Sequence, residues 1–291
     1  MPSLQSLRRK IGSVKNTQKI TKAMKMVASA KLKRSQTRIL AFRPYGLKMR
    51  GVVAGLSRRV NRDLHPLLQK RPTKMVRIVV VTSDRGLCGA FNANIVRRAL
   101  EFIRECEARG VKVEIGLVGR KGRDFFRRRH WKIHEPYIDI FERLSYEHGI
   151  EIAQAASEQY TNGMFDEAHI IYNEFKSAMQ QRVIVEQIFP FESLENDGAA
   201  GGGLGGSYLY EPDEGELLDN LLMKHLHAQA FRILLESSAA EQAARMSAMD
   251  GATRNAGELI KKLTLYYNKT RQAAITKELM DIVGGAEALK G

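Results

Sequence analysis

The sequence predicts an α/β domain set between two long helices that pair as an antiparallel coiled coil. Three observations carry that expectation. Each end of the chain stays free of strong helix breakers for longer than a globular helix usually runs. The second end carries an unbroken seam of apolar and small residues. The stretch between the ends alternates β-branched runs with helical ones.

From Ser3 to about Val60 the breakers are Gly12, Pro44, Gly46, Gly51 and Gly55, and Ala, Met, Lys, Arg, Gln and Leu dominate. A helix of that length would span roughly 87 Å at about 1.5 Å per residue. Its apolar stripe reads Leu4, Leu7, Ile11 and Val14, then, after a phase slip, Ile20, Met24, Val27 and Ala30. Pro44 removes a backbone donor and is expected to bend the rod.

The middle segment reads as strand Met75 to Thr82, helix Asn92 to Arg109, strand Val111 to Val118, helix Leu144 to Asn162, and strands Glu167 to Tyr172 and Arg182 to Phe189. Such alternation implies a mostly parallel sheet with right-handed crossovers. A glycine-rich connection, Asn196 to Ser207, leads back to the second rod.

That rod runs from Glu214 to about Leu289 without proline, after the turn-like Glu211-Pro212-Asp213. Met246, Met249, Thr253, Ala256, Ile260, Leu263, Tyr267, Thr270 and Ala274 fall on alternating three- and four-residue steps, which turn one helix face toward a partner. The residues also admit several shorter helices in a bundle, broken at Gly251 or Gly257.

Charge divides the chain as sharply as pattern does. Its first acidic residue is Asp63, after seventeen Lys and Arg, while the whole chain carries a formal charge of +15. A span so one-sided repels itself and calls for an acidic partner, either an acidic protein surface or a polyphosphate. Nucleic acid is the rival reading of this charge, although the first helix offers only Phe42 and Tyr45 for stacking. A 44% hydrophobic composition fits a globular core, and no stretch approaches the roughly 18 apolar residues of a membrane span. The Arg-rich start runs too long for a transit peptide and lacks a secretory apolar core. Cys88 and Cys106 are far apart, with no metal-ligand spacing, so neither a disulfide framework nor zinc is expected, and a reducing compartment fits.

Catalytic chemistry is sparse. Ser83 to Asn92 joins a strand to a helix where doubly wound folds hold phosphates, yet it lacks the Gly-x-Gly-x-x-Gly spacing and a Gly-Lys-Ser/Thr ending, so a tight structural turn is expected. Gly119 to Arg123 reads as a basic helix start. Cys88 with a distant His, or Asp84 with Glu174, shares no spacing motif. His225 and His227, two apart on a helix, point about 200° from each other and cannot grip one metal. No catalytic residue, cofactor or metal is assigned.

Four blocks decide between the open readings. They are Lys15 to Ala28 (KNTQKITKAMKMVA), the Ser83 to Asn92 turn, Glu241 to Met246 (EQAARM) and Tyr267 to Leu279 (YNKTRQAAITKEL). In this order, and covering nearly the whole chain, they resemble the gamma subunit of the rotary ATP synthase. The resemblance implies a shaft of two helices, residues 1–62 and 214–289. It adds a Rossmann-like foot over 73–195 and a linker over 196–213. It implies one copy inside a ring of alpha and beta subunits, a foot on the proton-carrying c-ring beside epsilon, and no catalysis of its own. The complex would lie peripherally on the cytoplasmic side of the bacterial inner membrane, with no membrane insertion and no nucleic acid.

Carried over by position, Lys22, Met24 and Lys25 would meet an acidic lever of the beta subunits. Arg245, Gln272 and Thr276 would hold a loop of the catalytic ring. Ile282, Val283 and Leu289 would form an apolar tip in a collar. Tyr208, Tyr210 and Glu211 would face the membrane ring and epsilon. The glycine content of Asn196 to Ser207 exceeds what the resemblance implies, and neither cysteine matches the paired-cysteine insert of chloroplast relatives.

Overall fold

A computed structural model describes residues 3–57, 65–134, 136–177, 180–191 and 214–288. The elements in order are α1 (Leu4–Ser57), β1 (Met75–Val81), α2 (Phe91–Ala108), β2 (Lys112–Val118), α3 (Arg120–Phe126), β3 (Lys132–Ile133), α4 (Tyr146–Thr161), β4 (Glu167–Phe175), β5 (Gln181–Phe189) and α5 (Glu214–Ala288). The chain divides into two compact units, one built from residues up to Ala28 together with Arg245 onward, the other from Ser29 to Ala244.

The second unit holds the sheet, in the order β3-β2-β1-β4-β5. β1 pairs in parallel with β2 and β4, β2 in parallel with β3, and β5 returns antiparallel to β4. The expected mostly parallel sheet is therefore present, with β4 reaching Phe175 and a two-residue β3 that is too short for a periodicity reading to register. Both faces are covered, which is why the strands read as nearly continuous apolar runs. Val76, Ile78 and Val80 face Phe91, Ile95, Ala99, Phe102 and Ile103 of α2 and Phe126 of α3. Val81, Ile170 and Tyr172 face the opposite way, toward Phe231, Ile233, Leu234 and Leu235 of α5. Each such aliphatic side chain taken fully from water contributes about 1.5–3 kcal/mol.

Within this unit α1 packs through Phe42, whose ring meets Phe231 edge-on at 5.2 Å, and through Val53 against Leu68 and Leu222. Arg38 donates to the Leu144 carbonyl at 2.7 Å. Helix α1 is continuous through Pro44. Gly149 of α4 sits where a Cβ would come within 2.9 Å of the Phe231 Cβ, so this close helix contact depends on glycine.

The first unit is the expected coiled coil. Lys25 meets Asp250, Thr21 meets Thr253, and Gln18 reaches the Thr253 carbonyl, so falling numbers on α1 face rising numbers on α5 and the pair is antiparallel. All nine seam positions read from α5 are buried or half-buried, and from Glu258 to Ala286 no other residue is. On α1 the expected phase slip is absent. The covered positions up to Ala28 run Leu4, Leu7, Ile11, Val14, Gln18, Thr21, Met24, Lys25 and Ala28, while Ile20 and Val27 are 60% and 56% exposed and Ala30 is exposed. Gln18 and Thr21 occupy the seam because they bond across it, and a stripe followed by apolar residues alone jumps to the wrong face at that point.

Candidate functional site

The predicted contact residues lie mainly in the coiled-coil unit. Helix α1 carries fourteen Lys and Arg and no Asp or Glu. Among the described residues, Lys25 is the α1 cation with an ion pair: its Nζ lies 2.6 Å from Asp250 Oδ1. Asp250 also reaches Arg254 through Oδ2 at 3.4 Å. The hydrogen bond from Lys25 holds the Asp250 carboxyl below its usual range. Lys22 is exposed and Met24 half-buried. The structure thus separates the lysine pair: Lys22 presents its charge outward, and Lys25 spends its charge inside the chain.

Arg245, predicted with Gln272 and Thr276, differs from them in setting. It is buried at 9% exposure, whereas Gln272 and Thr276 are exposed one turn apart, on one flank of α5. Ile282 and Val283 are 68% and 55% exposed. Ile275 and Leu279 fall on the same flank at helical spacing and are exposed as well, with Met280 beside them. Sequence reasoning missed these three, although the i, i+4, i+7, i+8 pattern of residues 275, 279, 282 and 283 signals an apolar stripe. Leu289, Tyr208, Tyr210 and Glu211, with the glycine-rich segment, lie outside the described residues.

The Ser83 to Asn92 turn consumes its own polar groups. Ser83 N donates to Asn92 Oδ1 at 3.0 Å, Ser83 Oγ to the Arg85 carbonyl at 2.7 Å, and Asn92 Nδ2 to Ser83 Oγ at 2.8 Å. Asp84 Oδ1 accepts from the backbone of Arg120 and Asp139, each at 3.0 Å. The turn ties three loops together, in keeping with a structural role. Asp84 and Glu174 have different partners, the latter lying 3.8 Å from Lys176.

Cys88 and Cys106 are buried thiols outside any disulfide, and burial pushes the Cys106 thiol up, with Arg109 offsetting part of the rise. His225 is buried against Phe191, and burial lowers the pKa of His227. Among the described residues no group of three or more His, Cys, Asp or Glu could hold a metal, and no helix is long and apolar enough to cross a membrane.

A family model described as ATP synthase matches residues 3–289. The ATP synthase gamma chain of Geobacter metallireducens is 48% identical over 294 residues, covering 100% of both chains. The chain belongs to the ATP synthase gamma-chain family. That of Chlorobaculum parvum is 47% identical, again over the full length of both. Among solved structures, a chain of the central stalk and c-ring of Tetrahymena thermophila mitochondrial ATP synthase matches at 26% identity and TM-score 0.59, over 80% of this chain and 99% of that one. A chain of Euglena gracilis mitochondrial ATP synthase shares the fold, at TM-score 0.67 and 23% identity, over 98% and 94%. The chain is accordingly a subunit of ATP synthase with the central-shaft role. The nucleic-acid reading of its charge is set aside.

Proposed function

We propose that this chain works as a mechanical subunit with no catalytic residues of its own. One copy stands in a ring of alpha and beta subunits and is driven by a c-ring at its foot, beside epsilon, peripherally on the cytoplasmic face of a bacterial inner membrane. The observation that carries the proposal is α1 itself, with fourteen cations, no acid and one ion pair within the chain among the described residues. Unpartnered charge on a helix is repulsive unless an oppositely charged surface answers it. Acidic levers of the beta subunits would supply that surface.

A symmetric axle would offer three equal levers equal contacts and shift nothing. An axle with one basic helix and one mixed helix offers each lever a different face. Rotation then changes the contact free energy at each catalytic site in turn, which is the requirement for coupling. Lys22 and Met24 would meet a lever, with Lys25 beside them. Arg245, Gln272 and Thr276 would hold a loop of the ring, each at its own level. The stripe of Ile275, Leu279, Ile282 and Val283, with Leu289 beyond it, would turn in an apolar collar, where contact lacks direction and so resists rotation little. Tyr208, Tyr210 and Glu211 would face the c-ring and epsilon.

The test is Lys22→Glu in the complete complex reconstituted into vesicles. Protons pumped per ATP hydrolysed should fall roughly 3- to 10-fold, the scale of a 0.7–1.4 kcal/mol coupling term. Pumping per ATP equal to that of the unaltered complex would remove the electrostatic lever from the account.

A further inference from the structure

We infer that Lys25, Asp250, Thr21 and Thr253 form a polar clasp that fixes the sliding register of the two shaft helices. Torque then passes along the pair without axial slip. This rests on the shaft role and assigns positioning residues within it.

Phe42 on Phe231 and Val53 on Leu222 fix the two helices in the second unit, and within the coiled-coil unit the apolar seam around the clasp adds little to register. On α5 it presents Met246, Met249, Ala256, Ile260 and Leu263, and on α1 Leu7, Ile11, Val14 and Ala28. Sliding one helix by a heptad, about 10 Å, would exchange apolar contacts for other apolar contacts. The clasp does not survive that exchange. In place, the Thr21 and Thr253 hydroxyls lie 2.8 Å apart, Gln18 Nε2 points to the Thr253 carbonyl at 3.5 Å, and Lys25 Nζ lies 2.6 Å from Asp250. Thr21 is 8% exposed, and its hydroxyl also reaches the Gln18 carbonyl of its own helix at 3.1 Å, as that of Thr253 reaches the Met249 carbonyl at 2.7 Å. After a heptad slip Thr21 would face Ile260 or Met246, and Lys25 would face Gly257 or Ala243. Either slip keeps each hydroxyl's bond to its own helix but breaks the Thr21–Thr253 and Lys25–Asp250 contacts together, and only one register makes both.

The ion pair is a poor source of stability, because its side chains are 44% and 36% exposed and solvent screens such pairs. Specificity is the contribution that fits. Polar groups at single seam positions of coiled coils are known to select register at little gain in stability. Asp250 is also held along its own helix by Arg254, so the carboxylate is oriented before Lys25 reaches it.

The experiment uses the assembled enzyme in vesicles and reads protons pumped per ATP hydrolysed. Asp250→Lys should lower that ratio roughly 3- to 10-fold, the range expected for coupling between contacting residues. The swap Lys25→Asp with Asp250→Lys should restore it. Thr21→Cys with Thr253→Cys, placed in the Asp250→Lys background, should restore the ratio when oxidised and lose it again on reduction. In the otherwise unaltered chain, oxidation of that cysteine pair should leave coupling intact, and this arm stands even where Asp250→Lys prevents assembly. Normal coupling in Asp250→Lys, or uncoupling by the oxidised pair in the unaltered chain, would overturn the clasp. If Lys25→Asp uncouples and the swap does not restore, Lys25 acts on a stator chain. The clasp is then wrong while the shaft reading stands.

Discussion

Gly119→Ala is expected to destabilise the chain by at least about 4 kcal/mol, enough to abolish assembly of a marginally stable domain. Gly119 follows β2 with φ 92°, in the left-handed half of backbone space that alanine rarely enters. A Cβ there would stand 2.2 Å from the Thr82 carbonyl oxygen and 2.7 Å from its carbon. Those are backbone atoms with no freedom to withdraw, because the Thr82 amide donates to Val118 O at 2.8 Å and the Gly119 amide to Tyr137 O at 2.8 Å. Relief would require breaking the joint between β1, β2 and the following loop, which also carries Asp84 and Arg120. Backbone strain of about 1–3 kcal/mol adds to the clash. Gly12→Ala is the internal control. Gly12 lies inside α1, and a methyl group added there would meet nothing within 4 Å, so that change should be neutral or stabilising by up to about 1 kcal/mol. Urea midpoints of the two purified variants measure the contrast. Equal midpoints would show that the turn accommodates a side chain.

The parts of this molecule that a sequence reader can see are those where one physical signal acts without competition. The α5 seam is the clearest case, because nine positions carry an apolar or small side chain in step and nothing interrupts them. The α1 seam is lost midway because Gln18 and Thr21 sit in it, and a polar residue in a seam becomes intelligible only when its partner across the interface is known. The clasp is illegible for the same reason, since Lys25 and Asp250 are 225 residues apart and each alone reads as solvated surface. The basic face of α1 is legible through the plain absence of acids. Towards the end of α5, Ile282 and Val283 follow from resemblance, while Ile275 and Leu279 are signalled by their helical spacing and, like Met280, stand out by their exposure of 48%, 57% and 67%. The burial of Arg77 is hidden in a strand otherwise made of Val, Ile and Met, because only the sheet order places Glu114 beside it.

That buried pair supports the second large effect. Glu114→Gln should cost about 3–5 kcal/mol, the penalty for leaving a buried charge without its counterion. Arg77 on β1 and Glu114 on β2 are register neighbours, 5% and 6% exposed in their side chains, with Arg77 Nη2 3.0 Å from Glu114 Oε2. Lys132 Nζ reaches Oε1 at 2.6 Å, and His134 Nε2 lies 2.7 Å from Oε2. Arg77 also lies over the Phe165 ring at 4.2 Å and bonds to Gln159. Burial alone would raise the Glu114 pKa, but hydrogen bonds from Lys132, His134 and Arg77 outweigh it and bring the carboxyl down to about 2 from 4.5. A folded-state pKa below the unfolded one contributes stability that is complete above pH 4.5 and drains away as the pH falls toward 2. The contribution is on the order of 3 kcal/mol at most. Glu114→Gln should therefore lower the urea midpoint at pH 7 and flatten its decline across that acid window. Arg77→Met combined with Glu114→Leu should recover most of the loss, because two apolar side chains of similar size remove the charge and its counterion together. A double variant no more stable than Glu114→Gln alone would mean that the pair holds the sheet by geometry that hydrocarbon cannot replace.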